Sequence, residues 1–282
     1  MTFMLFIYCL YTIFILFFPS LIIFTVAETS FITQYQSLSY GNTIVSPHGI
    51  FELGFFNLGN PNKIYLGIWY KNVPLKDVVW VANGGSPIKA SSILKLNRYG
   101  NLVLTYNNKV VWCTSSSETV QNPVAELLDS GNLVIRDENR TKAYTYLWQS
   151  FDYPSNTMLP GMQIGWNLKR SLSTHLIAWK SDDDPTPGDL SWGIILHPYP
   201  EICIMKGTKK YYRLGPWNGL RFSGRPLMKL NDPSNNYEFV SNKEEVYYRW
   251  SLKQTSLISR VVLNQTTKER RRYVLSKKSW TL

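Results

Sequence analysis

Two copies of one pentapeptide carry the side chains with the clearest potential for chemistry. GNLVL contains Asn101 and Val103, and GNLVI, 31 residues later, contains Asn132 and Val134. In an extended strand, side chains two residues apart point to the same face. Each copy is therefore predicted to present an amide beside an aliphatic group on its outer face. The sequence leaves open whether each pair is a binding pocket or only a structural repeat.

No pattern typical of an enzyme accompanies the repeat. The histidines His48, His175 and His197 lack metal-ligand partners at close spacing, and neither a G-x-S-x-G nor a C-x-x-C motif is present. The acidic run 182–184 stands in SDDDPTPGD, where the prolines and glycine predict a turn between strands. We therefore expect no catalytic residue, no bound metal and no cofactor.

Residues 1–27 predict entry into the secretory pathway. They are almost entirely apolar and end in small residues, as a signal peptide does, and an uncleaved membrane anchor is the alternative. Cys113 and Cys203 follow, too few for a disulfide scaffold, and the sequence does not decide whether they pair. Asn139 and Asn264 begin N-x-T sequons, which predict N-glycosylation of a secreted protein.

The chain is basic, with 30 Lys and Arg against 19 Asp and Glu and a formal net charge of +11. Part of the excess lies in 268–278, KERRRYVLSKK. A nucleic-acid-binding tail is one interpretation, but behind a signal peptide a solvated strand, or a patch facing acidic polysaccharide or anionic membrane, is favoured. We expect no nucleic-acid partner, and membrane contact only through the leader or through a span outside this sequence.

Short runs of β-branched and aromatic residues predict an all-β fold. IYLGIWY, VVWVA and similar runs alternate with clusters of Gly, Pro and Asn about every ten residues. VVW precedes the pentapeptide twice and YLW follows it, so that Trp80, Trp112 and Trp148 recur at intervals of 32 and 36 residues. Such a period predicts repeated units that bury their apolar faces against one another. We predict pseudo-threefold symmetry with the three tryptophans in a shared core.

Longer strings can be compared with known families: LSYGNTIVSPHGIFELGFF, YLGIWYKNVP, VVWVAN, LLDSGNLVIRD, LWQSFDYPSNTMLPGMQIGWNL, WKSDDDPTPGDLS and RLGPWNGLRFSG. They resemble the extracellular region of plant G-type lectin S-receptor-like serine/threonine kinases. The resemblance implies two tandem bulb-lectin-like β-prism units, a bulb-type lectin domain at 28–150 and an S-locus glycoprotein domain at 151–282. The EGF-like, PAN, transmembrane and kinase parts of such receptors have no counterpart, which implies a fragment or a truncated, non-enzymatic secreted member.

The same resemblance supplies a sugar-binding motif, Q-x-D-x-N-x-V-x-Y. It places Asn101 and Val103, and Asn132 and Val134, at the Asn and Val positions, whereas the aspartate is absent from both copies. A third copy, expected within 46–54, keeps no motif residue. A hydrogen bond to a charged acceptor contributes about 1.5–3 kcal/mol, so we expect mannose binding to be largely lost. The alternatives are a weak or altered glycan site and a purely structural role for Asn101 in its turn.

The function implied by the resemblance is recognition outside the cell. The module would bind a small cysteine-rich peptide or another protein, or form a receptor homo- or heterodimer, in recognition of pollen or in defence. The alternative is a lectin with weak or altered glycan specificity. The expected location is the apoplast, or the plasma membrane if the sequence is part of a receptor. Exposed turns such as 57–63 are the expected contact sites.

Overall fold

The computed structural model describes residues 29–73, 77–116, 118, 120–139, 146–219, 221–224, 233–254, 257–265 and 270–276, with side chains up to 265. These residues form 23 β-strands and one short 3₁₀ helix, Ser150–Asp152, so the prediction of an all-β fold is confirmed. The predicted leader, 1–27, lies outside them. Within the described part of the chain, no helix has the length and apolar character needed to span a bilayer.

Twelve strands form the first unit. They are β1 (Phe31–Thr33), β2 (Ser37–Ser39), β3 (Thr43–Val45), β4 (Phe51–Phe56), β5 (Tyr65–Tyr70), β6 (Val78–Val81), β7 (Ile93–Leu96), β8 (Leu102–Tyr106), β9 (Lys109–Cys113), β10 (Pro123–Leu127), β11 (Leu133–Asp137) and β12 (Trp148–Gln149). They make three four-stranded antiparallel sheets with the orders β3-β4-β5-β6, β2-β7-β8-β9 and β1-β10-β11-β12. Each sheet therefore has the same plan, with its last strand at one edge.

Three tryptophans meet where these sheets converge. Trp80, Trp112 and Trp148 stand on the last strands of the three sheets, and their ring centroids are 5.9, 6.2 and 6.0 Å apart. The planes meet at 66–76°, the edge-to-face arrangement that aromatic quadrupoles favour. The predicted shared core is confirmed. It lets each sheet bury an apolar face that it could not bury alone.

Eleven strands form the second unit. They are β13 (Thr157–Met158), β14 (Gln163–Asn167), β15 (Leu172–Thr174), β16 (Leu176–Ser181), β17 (Asp184–Ile195), β18 (Glu201–Lys206), β19 (Lys209–Pro216), β20 (Asn235–Ser241), β21 (Glu245–Leu252), β22 (Leu257–Leu263) and β23 (Arg270–Ser276). Their sheet orders are β13-β22-β23, β15-β14-β21-β20 and β16-β17-β18-β19. The basic stretch predicted as a solvated strand includes β23, which pairs with β22.

The core of the second unit is also aromatic but uses mixed rings. Trp192 is fully buried, with its ring centroid 6.4 Å from that of Tyr248, and Phe222 lies 5.8 Å from Tyr248. Both units thus fill their centre with aromatic side chains, which bury a large apolar area per residue. Among the residues that the structure describes, three matching tryptophans meet in the first unit alone.

The two units are joined by specific polar contacts as well as by packing. Trp80 Nε1 donates a hydrogen bond to the Tyr153 carbonyl oxygen at 2.8 Å, and the Val81 backbone nitrogen donates to Ser155 Oγ at 2.9 Å. Asp77 forms an ion pair with Arg260 of β22. Burial raises the pKa of the Asp77 carboxyl, although the Arg260 guanidinium opposes this shift. The joint therefore depends on the same strand that supplies the first core tryptophan.

Candidate functional site

The first copy of the pentapeptide lies on β8 and alternates as predicted. Leu102 and Leu104 are completely buried, whereas Asn101 and Val103 are half-buried on the opposite face. β8 pairs with β7 on one side and with β9 on the other. The predicted outward direction of Asn101 and Val103 is therefore confirmed, and both side chains reach solvent.

The Asn101 side chain is nevertheless used inside the protein. Its Oδ1 accepts hydrogen bonds from the Ser116 backbone nitrogen at 2.8 Å and from Thr114 Oγ1 at 3.3 Å. Thr114 Oγ1 in turn accepts from the Leu102 backbone nitrogen at 3.0 Å. Asn97 Oδ1 accepts from the backbone nitrogens of Tyr99 and Asn101 and so closes the preceding turn. Asn101 Oδ1 therefore connects the segment that follows β9 to the start of β8.

The second copy lies on β11 and departs from the prediction at both outer residues, because Asn132 and Val134 are buried. Leu133 and Ile135 face inward and are fully buried, as expected, but Val134 is also fully buried. Its predicted exposure is wrong because Glu126 and Gln149 lie directly opposite it on the two neighbouring strands, with side chains on the same face. Val134 therefore packs between polar neighbours and is closed to a ligand.

Asn132 is buried and makes more contacts than Asn101. Its Nδ2 donates to Gln149 Oε1 at 2.9 Å, and its Oδ1 accepts from Ser150 Oγ and from the Phe151 backbone nitrogen, both at 3.2 Å. Ser150 Oγ accepts from the Leu133 backbone nitrogen at 2.9 Å. This arrangement matches the one around Asn101. The repeated asparagine is thus a repeated structural device that joins the last strand of a sheet to the third.

The hydroxyls in this device were missed by the sequence analysis, although a signal was present. Thr114 and Ser150 each stand two residues after a core tryptophan, so the repeat extends beyond the pentapeptide. In the remaining sheet, Asn83 supplies the acceptor instead, at 2.8 Å from the Leu66 backbone nitrogen. The backbone nitrogens of Leu66, Leu102 and Leu133 therefore occupy equivalent positions. Each donates a hydrogen bond to a side chain two or three residues after a core tryptophan.

This equivalence also corrects the position of the third motif copy. The sequence predicts it within 46–54, but that range covers the loop before β4 and most of β4 itself, the second strand of its sheet. The strand equivalent to β8 and β11 is β5, and Tyr65 takes the place of the asparagine. Tyr65 is buried, and a Cβ at Gly67 would lie 2.5 Å from the Trp80 carbonyl oxygen. No valine can occupy that position without moving the backbone.

An acidic side chain stands beside the second copy, but it is directed elsewhere. Asp129 Oδ1 accepts from the His48 backbone nitrogen at 2.9 Å, and Oδ2 lies 2.6 Å from His48 Nδ1. Burial alone would raise the pKa of Asp129, but hydrogen bonds from His48 and Ser46 together hold this pKa below its ordinary value. The carboxylate therefore fixes the loop before β4.

The other predicted positions are found apart from the repeat. Asn139 is exposed, and Asn264 is half-buried with Nδ2 donating to Asp182 Oδ1 at 3.0 Å; the threonines of both sequons lie outside the described residues. Cys113 is exposed and Cys203 is buried in the other unit, and the two are not bonded to each other. Within the described part of the chain, no group of three or more His, Cys, Asp or Glu side chains is arranged to hold a metal.

Two family models match parts of the chain. Residues 77–180 match the D-mannose binding lectin family, and residues 212–282 match the S-locus glycoprotein domain. Among solved structures, a monomeric monocot mannose-binding lectin from Gastrodia elata aligns with 43% of this chain and 96% of its own, at 21% identity and a TM-score of 0.34. The chain is a lectin-fold protein of tandem β-prism units, and neither matched domain is catalytic.

Curated relatives narrow this class. The chain is 41% identical to the S-locus-specific glycoprotein S6 of Brassica oleracea, over 89% of the chain and 57% of the relative. It is 40% identical to the receptor-like serine/threonine-protein kinase SD1-8 of Arabidopsis thaliana, over 85% of the chain and 28% of the relative. The chain therefore belongs to the family of S-locus glycoproteins and G-type lectin S-receptor-like kinases, and it spans less than two thirds of either relative.

Proposed function

We propose that the chain is an extracellular recognition module of this receptor family, with a bulb-type lectin domain at 28–150 and an S-locus glycoprotein domain at 151–282. It binds a peptide or protein ligand, such as a small cysteine-rich peptide, or pairs with another receptor in recognition of pollen or in defence. The observation that carries the proposal is the internal use of the motif asparagines. A buried amide with three internal partners is not available to sugar hydroxyls.

Exposed, rigid turns offer the alternative contact surface. In the turn 57–63, Asn57 Oδ1 accepts from the Gly59 backbone nitrogen at 3.3 Å, and Asn60 Oδ1 accepts from the Asn62 backbone nitrogen at 2.9 Å. Lys63 is exposed at its end, and its backbone nitrogen donates to the Asn60 carbonyl oxygen at 3.0 Å. Side chains held on such a turn lose little conformational freedom when they bind.

One experiment compares partner binding with glycan binding. The purified chain is applied to small cysteine-rich peptides and to related receptor ectodomains by biolayer interferometry, and to a glycan array that contains mannose-type glycans. We expect a protein or peptide partner whose affinity falls at least tenfold in Lys63→Glu. Lys95→Glu, the same charge change at an exposed strand position, is the matched control and should bind normally.

A second candidate function rests on the first copy alone. Asn101 and Val103 reach solvent, and Tyr99 nearby is exposed, so this copy retains an amide, an aliphatic group and an aromatic ring at the surface. A lectin with weak or altered specificity would use them. Array binding to mannose-type glycans that is abolished by Asn101→Ala, without any protein partner, would contradict the proposed function and support this one.

Asn139 and Asn264 are proposed as glycan attachment points. Both side chains reach solvent, as N-glycosylation requires. The expected mass loss after glycosidase treatment is halved in Asn139→Gln and abolished in the double variant with Asn264→Gln. A secreted chain without any such loss would contradict this assignment.

A further inference from the structure

An apolar cleft lies between the two units, where the start of β4 approaches the end of β21. Its volume is about 450 Å³, which is within the range of sites for small organic groups. The first unit contributes Ile50, Phe51 and Tyr70 to its lining, and the second unit contributes Leu252 and Leu257. A group bound there would contact both units at once.

The wall from the first unit is aromatic and uncharged. Phe51 and Tyr70 lie directly opposite each other on β4 and β5, and their ring centroids are 4.6 Å apart. Both side chains are buried, and burial is the main reason why the pKa of the Tyr70 phenol lies well above its ordinary value. The phenol therefore keeps its proton, and a pair of neutral rings lines this side of the cleft.

The wall from the second unit is aliphatic and partly open to solvent. Leu252 ends β21, and Leu257 and Ile258 begin β22. Leu252 and Leu257 are half-buried, as is Ile50 from the first unit, whereas Ile258 is buried. Removing such half-exposed aliphatic surface from water is favourable, so an apolar occupant would be stabilised by both walls.

The one charge in the lining is already in use. Among the described residues that line the cleft, Asp129 alone carries a charge, and its carboxylate accepts hydrogen bonds from His48 and Ser46. A cationic group in the cleft would meet only this bonded carboxylate and would otherwise lie against hydrocarbon. It would lose its water without an equal gain, and an anionic group would be repelled as well. The lining therefore favours an uncharged, apolar group.

Three polar residues of the lining reach solvent and so mark the mouth of the cleft. Ser130 and Gln254 are exposed, and Ser251 is half-buried. Gln254 offers an amide, which both donates and accepts, and the two serines offer hydroxyls. A peptide backbone carries one donor and one acceptor per residue. These groups can therefore bond to the backbone on either side of a side chain that enters the cleft.

The size of the cleft decides among apolar occupants. A stable dimer uses about 20–30 residues a side, many more than line this cleft, so its size does not suit a second copy of the chain. One large side chain fits the volume, and an aromatic ring can pair favourably with Phe51 and Tyr70. We propose that this cleft binds an aromatic side chain of a peptide ligand, with the neighbouring peptide backbone at Ser130 and Gln254.

The proposal deepens the function proposed above and rests on it for the choice of a peptide. Phe51 is the first residue of β4, whereas the turn that ends at Lys63 follows the last residue of the same strand. The cleft and that turn are therefore separate contact sites. Asn101 and Asn132 do not line the cleft, so both copies of the pentapeptide are distinct from it.

The test uses the whole chain and N-acetyl amides of single amino acids. The amides of tryptophan, phenylalanine, lysine and glutamic acid are titrated by saturation-transfer NMR. We expect the two aromatic amides to bind at least fivefold more tightly than the two charged ones. Leu252→Ala should weaken the better aromatic amide at least fivefold. Leu196→Ala is the matched control, because Leu196 is also half-buried against the core but lies outside the cleft.

A second variant separates binding from folding. Gln254→Ala changes an exposed residue, so it should keep the thermal midpoint while weakening tryptophan amide at least threefold. It should leave unchanged the affinity of free indole, which has no peptide backbone. Absence of binding by both aromatic amides would overturn the proposal, as would equal affinity in wild type and Leu252→Ala. Equal affinity of indole and tryptophan amide would assign the cleft to a free aromatic molecule and overturn it too.

The outcomes also distinguish this inference from the function on which it rests. If the aromatic amides do not bind but a protein partner is still captured and lost in Lys63→Glu, this inference alone is overturned. If the aromatic amides bind as expected but no peptide or protein partner is captured, the cleft is supported and the proposed function is contradicted. Tighter binding by lysine amide than by tryptophan amide would overturn the choice of an apolar side chain.

Discussion

The two pentapeptide copies show how one sequence repeat serves two environments. Around Asn101 and Asn132 the main hydrogen bonds correspond closely, with a hydroxyl and a backbone nitrogen bound to the same oxygen. The first copy is half-buried at the surface, whereas the second lies against the joint between the two units, where Gly131 approaches Leu159. The comparison indicates that the repeat preserves the hydrogen bonds that join the last strand of a sheet to the third. Exposure of its outer face is a separate property, set by neighbours.

The glycines before the asparagines show the same difference. Both have positive φ, +76° at Gly100 and +82° at Gly131, as their turns require. A Cβ at Gly100 would have only ordinary contacts, with Leu147 at 3.5 Å. A Cβ at Gly131 would lie 2.6 Å from Leu159 Cδ1 and 2.9 Å from Phe51. Both copies therefore need a glycine for its positive φ, and the second copy also needs it because a Cβ would clash with its neighbours.

The largest expected effect comes from changing these glycines. Gly131→Ala should lower the free energy of unfolding by about 2–4 kcal/mol, because left-handed strain of about 1–2 kcal/mol adds to overpacking of a similar size. Gly100→Ala should lower it by only about 1–2 kcal/mol, from the backbone alone. Urea denaturation followed by tryptophan fluorescence measures both. Equal losses in the two variants would show that Leu159 and Phe51 move aside at little cost, and would contradict the difference in packing between the two copies.

A smaller difference is expected for the asparagines. Asn132→Ala should lower the free energy of unfolding by about 2–3 kcal/mol, because the Phe151 backbone nitrogen stays buried without its acceptor. Asn101→Ala should lower it by about 1 kcal/mol, since the half-buried Ser116 nitrogen can turn to water. Chemical denaturation of the two variants in parallel is the measurement. A larger loss of unfolding free energy in Asn101→Ala than in Asn132→Ala would contradict the structural account.

Much of the first unit could be predicted from sequence. The strands around the pentapeptides and the three tryptophans follow from alternation and from a repeat length that leaves little choice of partner. The position predicted for the third copy was wrong because Tyr65 and Gly67 stand where the other two copies have Asn and Val. Only the sheet order and the bond from the Leu66 backbone nitrogen to Asn83 reveal the equivalence.

The contact between the two units was beyond sequence analysis for a different reason. Trp80 and Val81 bond to Tyr153 and Ser155, and Asp77 pairs with Arg260. Contacts of this kind between two units have no periodicity in the sequence. The burial of Val134 was missed for a similar reason, because it depends on the cross-strand neighbours Glu126 and Gln149.

The turns that precede the two copies provide the smallest and most specific test. In the first, the neutral amide of Asn97 caps two backbone nitrogens of its own turn. In the second, the Asp129 carboxylate bonds to His48, 81 residues away. One turn is therefore stabilised locally without charge, and the other by a charged contact with a distant loop.

Only the second contact should respond to acid. The pKa of Asp129 is lowered in the folded chain, so its contribution is complete above the ordinary carboxyl pKa of about 3.9 and is lost as pH falls through the folded value. Because His48 is largely exposed, the contribution should be below about 1 kcal/mol. The stability lost in Asp129→Asn relative to wild type should therefore shrink between about pH 5 and pH 3, whereas the loss in Asn97→Ala should stay constant. Denaturation at both pH values measures this, and parallel behaviour of the two variants would mean that Asp129 acts through shape and not through charge.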